Sequence, residues 1–185
     1  MALVHTTSYV ADSLAIFRYY KKLADGAIAQ VSDEELFRLP DSESNSIALI
    51  MQHMIGNMRS RWTDFLTTDG EKPWRNRDAE FETRPADSRE AKFGEWEAAW
   101  QIVFGVLESL TDADLGREIT IRGEKHSVMQ AINRQIAHYS YHVGQIVFLA
   151  KHWRGAGWSS LSIPKKAGAS AAFNAAVGAG VKSQR

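Results

Sequence analysis

The chain has 185 residues, with 22 Lys+Arg against 22 Asp+Glu and 44% hydrophobic residues, which predicts one globular domain rather than a disordered chain. A formal net charge of zero argues against a protein that coats nucleic acid or an anionic membrane. The absence of cysteine removes disulfides, thiolate nucleophiles and thiolate metal sites, so any metal must be held by nitrogen and oxygen.

The opening segment MALVHTTSYVADSLAIF has no basic n-region, continuous apolar run or cleavage pattern, and reads as the start of a cytoplasmic domain. No stretch approaches the ~18 uninterrupted apolar residues of a membrane span. A first helix is expected over residues 7–30, where Val10, Leu14, Phe17, Leu23, Ala24, Ala27 and Ile28 recur at helical steps. Ser32 and Glu35 form a short capping box that Pro40 ends. A second long helix begins near Ser44 or Ser46 and runs to about Thr68. Its stripe is Ile47, Ile50, Met51, Met54, Ile55, Met58, Trp62 and Phe65, with Gly70 closing it.

Residues 68–88 are dense in charge, hold Pro73 and Pro85, and keep no period. They predict a long loop, and Trp74 and Phe81 imply that it packs on the body. A third helix spans Ser88 to Ser109, burying Phe93, Trp96, Trp100, Val103, Phe104 and Leu107. Thr111 with Asp114 makes another capping box, and residues 118–126 read as a small hairpin or extended loop around Gly123. Ser127 with Gln130 opens a fourth helix that runs to about Trp153. Beyond Gly155 and Gly157 the text turns Ala/Gly-rich and reads as a tail. The expected architecture is all-α: a four-helix bundle over residues 1–164, with a long loop between helices 2 and 3, a hairpin before helix 4, and a tail over 165–185.

The fourth helix carries the sharpest chemical signal, RQIAHYSYHVGQ. His138 and His142 lie one turn apart, about 40° around the helix, where two imidazoles can reach one metal ion. Six histidines make such a pair common by chance, and half-buried histidines bonded to loop carbonyls are the plain alternative. The pair flanks the buried face of Ile132, Ile136, Tyr139, Val143 and Val147, which aims it along a seam between helices. His53 on the second helix is the third candidate; Gly56 beside it would admit another helix, and Asn57 would orient a water or ligand. His53, His138 and His142 would make a three-nitrogen site with positions left open. No Glu follows His138, so this is not the metalloprotease arrangement. His5 at the terminus, His126 in a loop and His152 in the last basic turn are weaker candidates.

These residues carry a resemblance. One histidine in mid-second helix and an H-x-x-x-H pair on the fourth resemble the metal triad of the DinB/YfiT-like superfamily. The stretches QHMIGNMRSRWTDF (52–65), DGEKPWRNRD (69–78) and AHYSYHVGQIV (137–147) resemble its DUF1572 branch. The similarity covers about residues 7–164, with a weaker echo through Ser162, Ile163 and Pro164 to Phe173 and Asn174. It implies a four-helix bundle in up-down-down-up style, commonly dimeric, that binds a divalent metal through His53, His138 and His142. Relatives in that superfamily include thiol-dependent S-transferases and isomerases using bacillithiol, mycothiol or glutathione, and metal-dependent hydrolases.

In the long loop, Lys72, Arg75 and Arg77 would receive an anionic substrate against Trp74. The favoured alternative pairs these cations with Glu71, Asp78, Glu80 and Glu82 in a solvated loop. Tyr141 points away from the core, toward exposure or a dimer contact; the methionine stripe is core. The leading expectation is a metal-dependent enzyme, a thiol S-transferase or a hydrolase, holding zinc or nickel, with manganese and iron compatible. With no cysteine in the chain, a transferred thiol would come from a small-molecule cosubstrate. The rival is a non-catalytic dimeric module that binds metal or a stress ligand. A homodimer is expected from the resemblance and from six tryptophans; neither nucleic acid nor membrane is expected as a partner.

Overall fold

The computed structural model describes residues 7–84 and 86–182, so His5 lies outside the described residues. The chain is mostly helical. Its long helices are α1 (Tyr9–Ile28), α3 (Ile47–Trp62), α4 (Arg89–Ser109) and α5 (Val128–Arg154), with short α2 (Asp33–Phe37) and α6 (Ala169–Gly178). Among the described residues no helix is long and apolar enough to cross a membrane.

The helices begin where hydroxyl caps place them. Ser8, Ser46, Ser88 and Ser127 accept from the backbone N–H of Ala11, Leu49, Ala91 and Gln130, each cap stabilising its helix by about 1 kcal/mol. Gln130 also reaches back to the Ser127 N–H at 2.8 Å, completing the expected box. α3 ends earlier than the periodicity predicts, because Thr63 is extended and Asp64 takes a left-handed φ of 49°. Phe65 still reaches the core by folding back onto Trp62, ring centroids 5.0 Å apart.

α1 packs against α5 and α4, and α3 against α4 and α5. The largest side chains of the core they enclose are Phe17, Trp62, Trp96, Trp100 and Tyr139, which meet mostly edge to face. Met51, Met54 and Met58 fill the space between, fully buried. Trp153 and Trp158 pack against the same core, while Trp74 is 56% exposed. One chain therefore houses five of the six tryptophans, and tryptophan content gives no argument for a dimer. Gly168 opens α6 in a left-handed conformation, and none of that helix is buried.

The hairpin forms as expected: β1 (Glu118–Ile121) pairs antiparallel with β2 (Glu124–Ser127) around Arg122 and Gly123, both at positive φ. The Asp69 carboxylate accepts from both turn N–H groups at 2.8 Å, and Gly70 N–H donates to the Thr120 carbonyl. Gly70 thus joins the loop to the hairpin rather than ending α3. The loop after α3 is irregular but anchored: Ser60 Oγ donates to the Gly70 carbonyl at 2.7 Å, and buried Arg61 pairs with Glu71 at 2.9 Å.

Candidate metal centre

His53 lies in the middle of α3, 6% exposed, while His138 and His142 lie one turn apart on α5, half-buried. Because α3 packs on α5, the three rings meet. His138 Nε2 stands 3.2 Å from His53 Nε2 and 3.0 Å from His142 Nε2, and the three donor atoms all fall within 4.8 Å of one another. Ligands on a tetrahedral zinc at the usual 2.0–2.1 Å are roughly 3.3 Å apart. The cluster can hold a metal ion.

The far side of each ring determines which nitrogen faces inward. Glu80, on a 3-10 turn over Asp78–Phe81, places Oε2 2.9 Å from His53 Nδ1. A carboxylate only accepts, so Nδ1 carries a proton, and in the neutral ring Nε2 keeps its lone pair. Gln145 Oε1 accepts in the same way from His142 Nδ1 at 2.7 Å. His138 Nδ1 is buried with no partner among the described residues. One N–H on His138 Nε2 can satisfy one of its two nitrogen neighbours well; a cation at the centre satisfies all three.

Electrostatics favours the neutral form of the His138 and His142 rings, the form that binds metal. Burial, then the neighbouring charges of His142 and His53, lowers the His138 pKa to about 3. Burial also lowers that of His142, against the hydrogen bond to Gln145. Burial would raise Glu80, but the hydrogen bonds from His53 and Arg75 outweigh it, so its pKa falls and it stays ionised.

In the long loop Arg75 pairs with Glu80 and Glu71, as the favoured alternative expects, but buried rather than solvated. Arg75, its side chain 3% exposed, grips Glu80 through Nε–Oε1 at 2.7 Å and Nη2–Oε2 at 2.9 Å. Lys72 is buried, donating to the Asp69 carbonyl at 2.6 Å and to Thr68. Neither is free to receive a substrate and neither belongs to a solvated loop. Arg77 lies over the Phe81 ring, and exposed Trp74 faces Arg59. Of the two loop aromatics, only Phe81 packs as predicted, stacking on His53 with centroids 5.0 Å apart. Asn57 Oδ1 accepts from the Tyr139 hydroxyl at 3.1 Å. Gly56 admits a carboxylate rather than a helix, since a Cβ there would fall 2.1 Å from Glu80 Oε1. His126 sits on β2, and His152 ends α5 stacked on exposed Phe148.

Sequence reasoning missed Glu80, counted only as a loop charge, and Gln145. Gln145 had a usable signal, three residues after His142 on one helix. For Glu80 the lone hint was Gly56, a gap on the His53 helix.

No curated protein and no solved structure matches the chain. The family described as "Protein of unknown function (DUF1572)" matches residues 5–167, a span that takes in all three histidines and the loop that carries Glu80. The chain belongs to the DUF1572 family.

Proposed function

We propose that this protein binds one divalent metal ion through His53, His138 and His142, on a four-helix bundle of the DinB-like kind over residues 1–164. The observation that carries the reading is the convergence of three imidazole nitrogens, from one buried and two half-buried rings, two of them with a proton held on the outer side of the ring. An all-imidazole donor set suits zinc or nickel, and accepts manganese or iron. When bound, such an ion supplies Lewis acidity and lowers the pKa of water or of a small-molecule thiol. The chain's own part is to hold the three nitrogens, exclude solvent on the α3 side and leave the remaining positions open. The activity we propose is therefore metal-dependent, thiol S-transfer or hydrolysis, in a homodimer.

A second reading has its own support: the ligands come from two helices, so a metal would tie α3 to α5 and stabilise the fold without chemistry. Metal content by mass spectrometry, on tag-free wild type and His138→Ala, tests the site first. About one equivalent per chain, lost in the variant, is expected for a three-ligand site; an empty wild type that refuses added zinc, nickel and manganese overturns it. A thiol-transfer and hydrolysis panel on loaded protein then separates enzyme from structural metal. Sedimentation as a 20.7 kDa species would remove the dimer.

A further inference from the structure

Glu80 is held at the histidine cluster by contacts from α3, α4 and its own loop. Gln52, the residue before His53, donates Nε2 to the carbonyls of Ala79 at 3.0 Å and Glu82 at 2.9 Å, clasping the turn at both ends. Its Oε1 accepts from buried Lys92 of α4 at 2.6 Å. Phe81 covers one face of the His53 ring. Between these contacts sits the Glu80 carboxylate, 8% exposed, with Oε2 on His53 Nδ1 and both oxygens on Arg75. Burying a carboxylate is costly without strong partners, and here the helix gives up a side chain at Gly56 to make room for it.

We propose that Glu80 is a positioning residue of the metal centre: held by Arg75 in the gap at Gly56, it fixes the Nδ1–H tautomer and ring plane of His53 and so presents Nε2 to the ion. This rests on the metal reading above. The three ligands are unequal. Among the described residues His142 Nδ1 faces a neutral amide and His138 Nδ1 faces no partner, so His53 alone has an anionic support and is the strongest donor. Metal affinity then depends on a residue 27 positions away in an irregular loop, one that never touches the ion.

Two measurements on wild type, Glu80→Ala, Glu80→Gln and Gly56→Ala test this. One is zinc affinity by chelator competition; the other is the His53 tautomer in metal-free protein, from 15N–1H spectra of histidine-labelled samples. Affinity is expected to fall roughly 10–100-fold in Glu80→Ala and Gly56→Ala, and less in Glu80→Gln, which keeps an acceptor oxygen. The Nδ1–H signature of His53 weakens in parallel. Folded Glu80→Ala with zinc affinity within about twofold of wild type, against the loss typical of such supports, overturns the proposal. If Glu80→Ala fails to fold, the near-isosteric Glu80→Gln carries the test through the lost carboxylate charge, and an unchanged zinc affinity there overturns it equally. A wild type that takes up neither zinc nor nickel nor manganese overturns the metal reading itself. The metal-free tautomer still tests Glu80 in that case, and an unchanged His53 tautomer in Glu80→Ala would sink its positioning role.

Discussion

Two buried polar clusters lie side by side where α3 meets α5, and they are built in opposite ways. In one, Trp62 Nε1 donates to the Tyr139 hydroxyl at 3.0 Å, and that hydroxyl donates to Asn57 Oδ1 at 3.1 Å. In the other, one turn along α3 and one residue along α5, three Nε2 atoms crowd together and His138 Nδ1 has no partner among the described residues. A satisfied buried network specifies packing, whereas an unsatisfied one costs stability until something fills it. The first cluster is architecture, and the second is the one we propose to hold an ion.

The largest expected effect separates the two directly. Excess zinc should raise the Tm of metal-free wild type by roughly 5–10 °C, since ligand at about 100 times Kd contributes ~2.7 kcal/mol. His142→Ala should show no rise, while Tyr139→Phe keeps it. An equal rise in His142→Ala, read by calorimetry, would move the metal away from the triad.

Next, Tyr139→Phe leaves the Trp62 N–H stranded in the core and should cost up to about 3 kcal/mol in denaturant unfolding, with zinc stoichiometry unchanged. A cost below ~0.5 kcal/mol would show that the closed network adds nothing to the fold.

Of the two clusters, only the open one should titrate between neutral pH and pH 5. The His138 pKa is lowered from 6.5 to about 3 by burial and by its histidine neighbours, so on acidification the unfolded chain takes the proton first. Its contribution is complete above 6.5 and is lost as pH falls toward 3. At pH 5 the metal-free protein should have lost roughly 2 kcal/mol, or ~4–8 °C of Tm. Tyr139, pushed up by burial, does not titrate in that window. A pH slope in His138→Gln as steep as in wild type would assign the effect to other groups.

The smallest effect sets the baseline. Trp74→Ala, at an exposed position, should change stability by less than about 0.5 kcal/mol. A larger loss in solution would mean that Trp74 is covered by something other than its own chain.

Much of the scaffold was legible because its signals are local. The caps at Ser46, Ser88 and Ser127 and the Met51, Met54 and Met58 stripe depend only on neighbours within a turn or two. The reading failed where burial and helix part company: Phe65 keeps the period of α3 after the helix has ended at Trp62. It failed again in the loop after α3, where Lys72 and Arg75 read as cations of a solvated loop, yet both side chains are buried.

The sequence by itself determined the four long helices to within a few residues of their ends, the hairpin and the pairing of His138 with His142, since 3.6 residues per turn places a residue and its fourth neighbour together wherever the helix lies. Only the tertiary structure decided that His53 completes the cluster, that Glu80 stands behind it, and that Arg75 holds Glu80 instead of a substrate. Those partners come from an aperiodic loop and from helices far apart in sequence. Their meeting depends on how α3, α4, α5 and the loop pack, and on the need to pair each buried charge, which no local pattern of residues encodes.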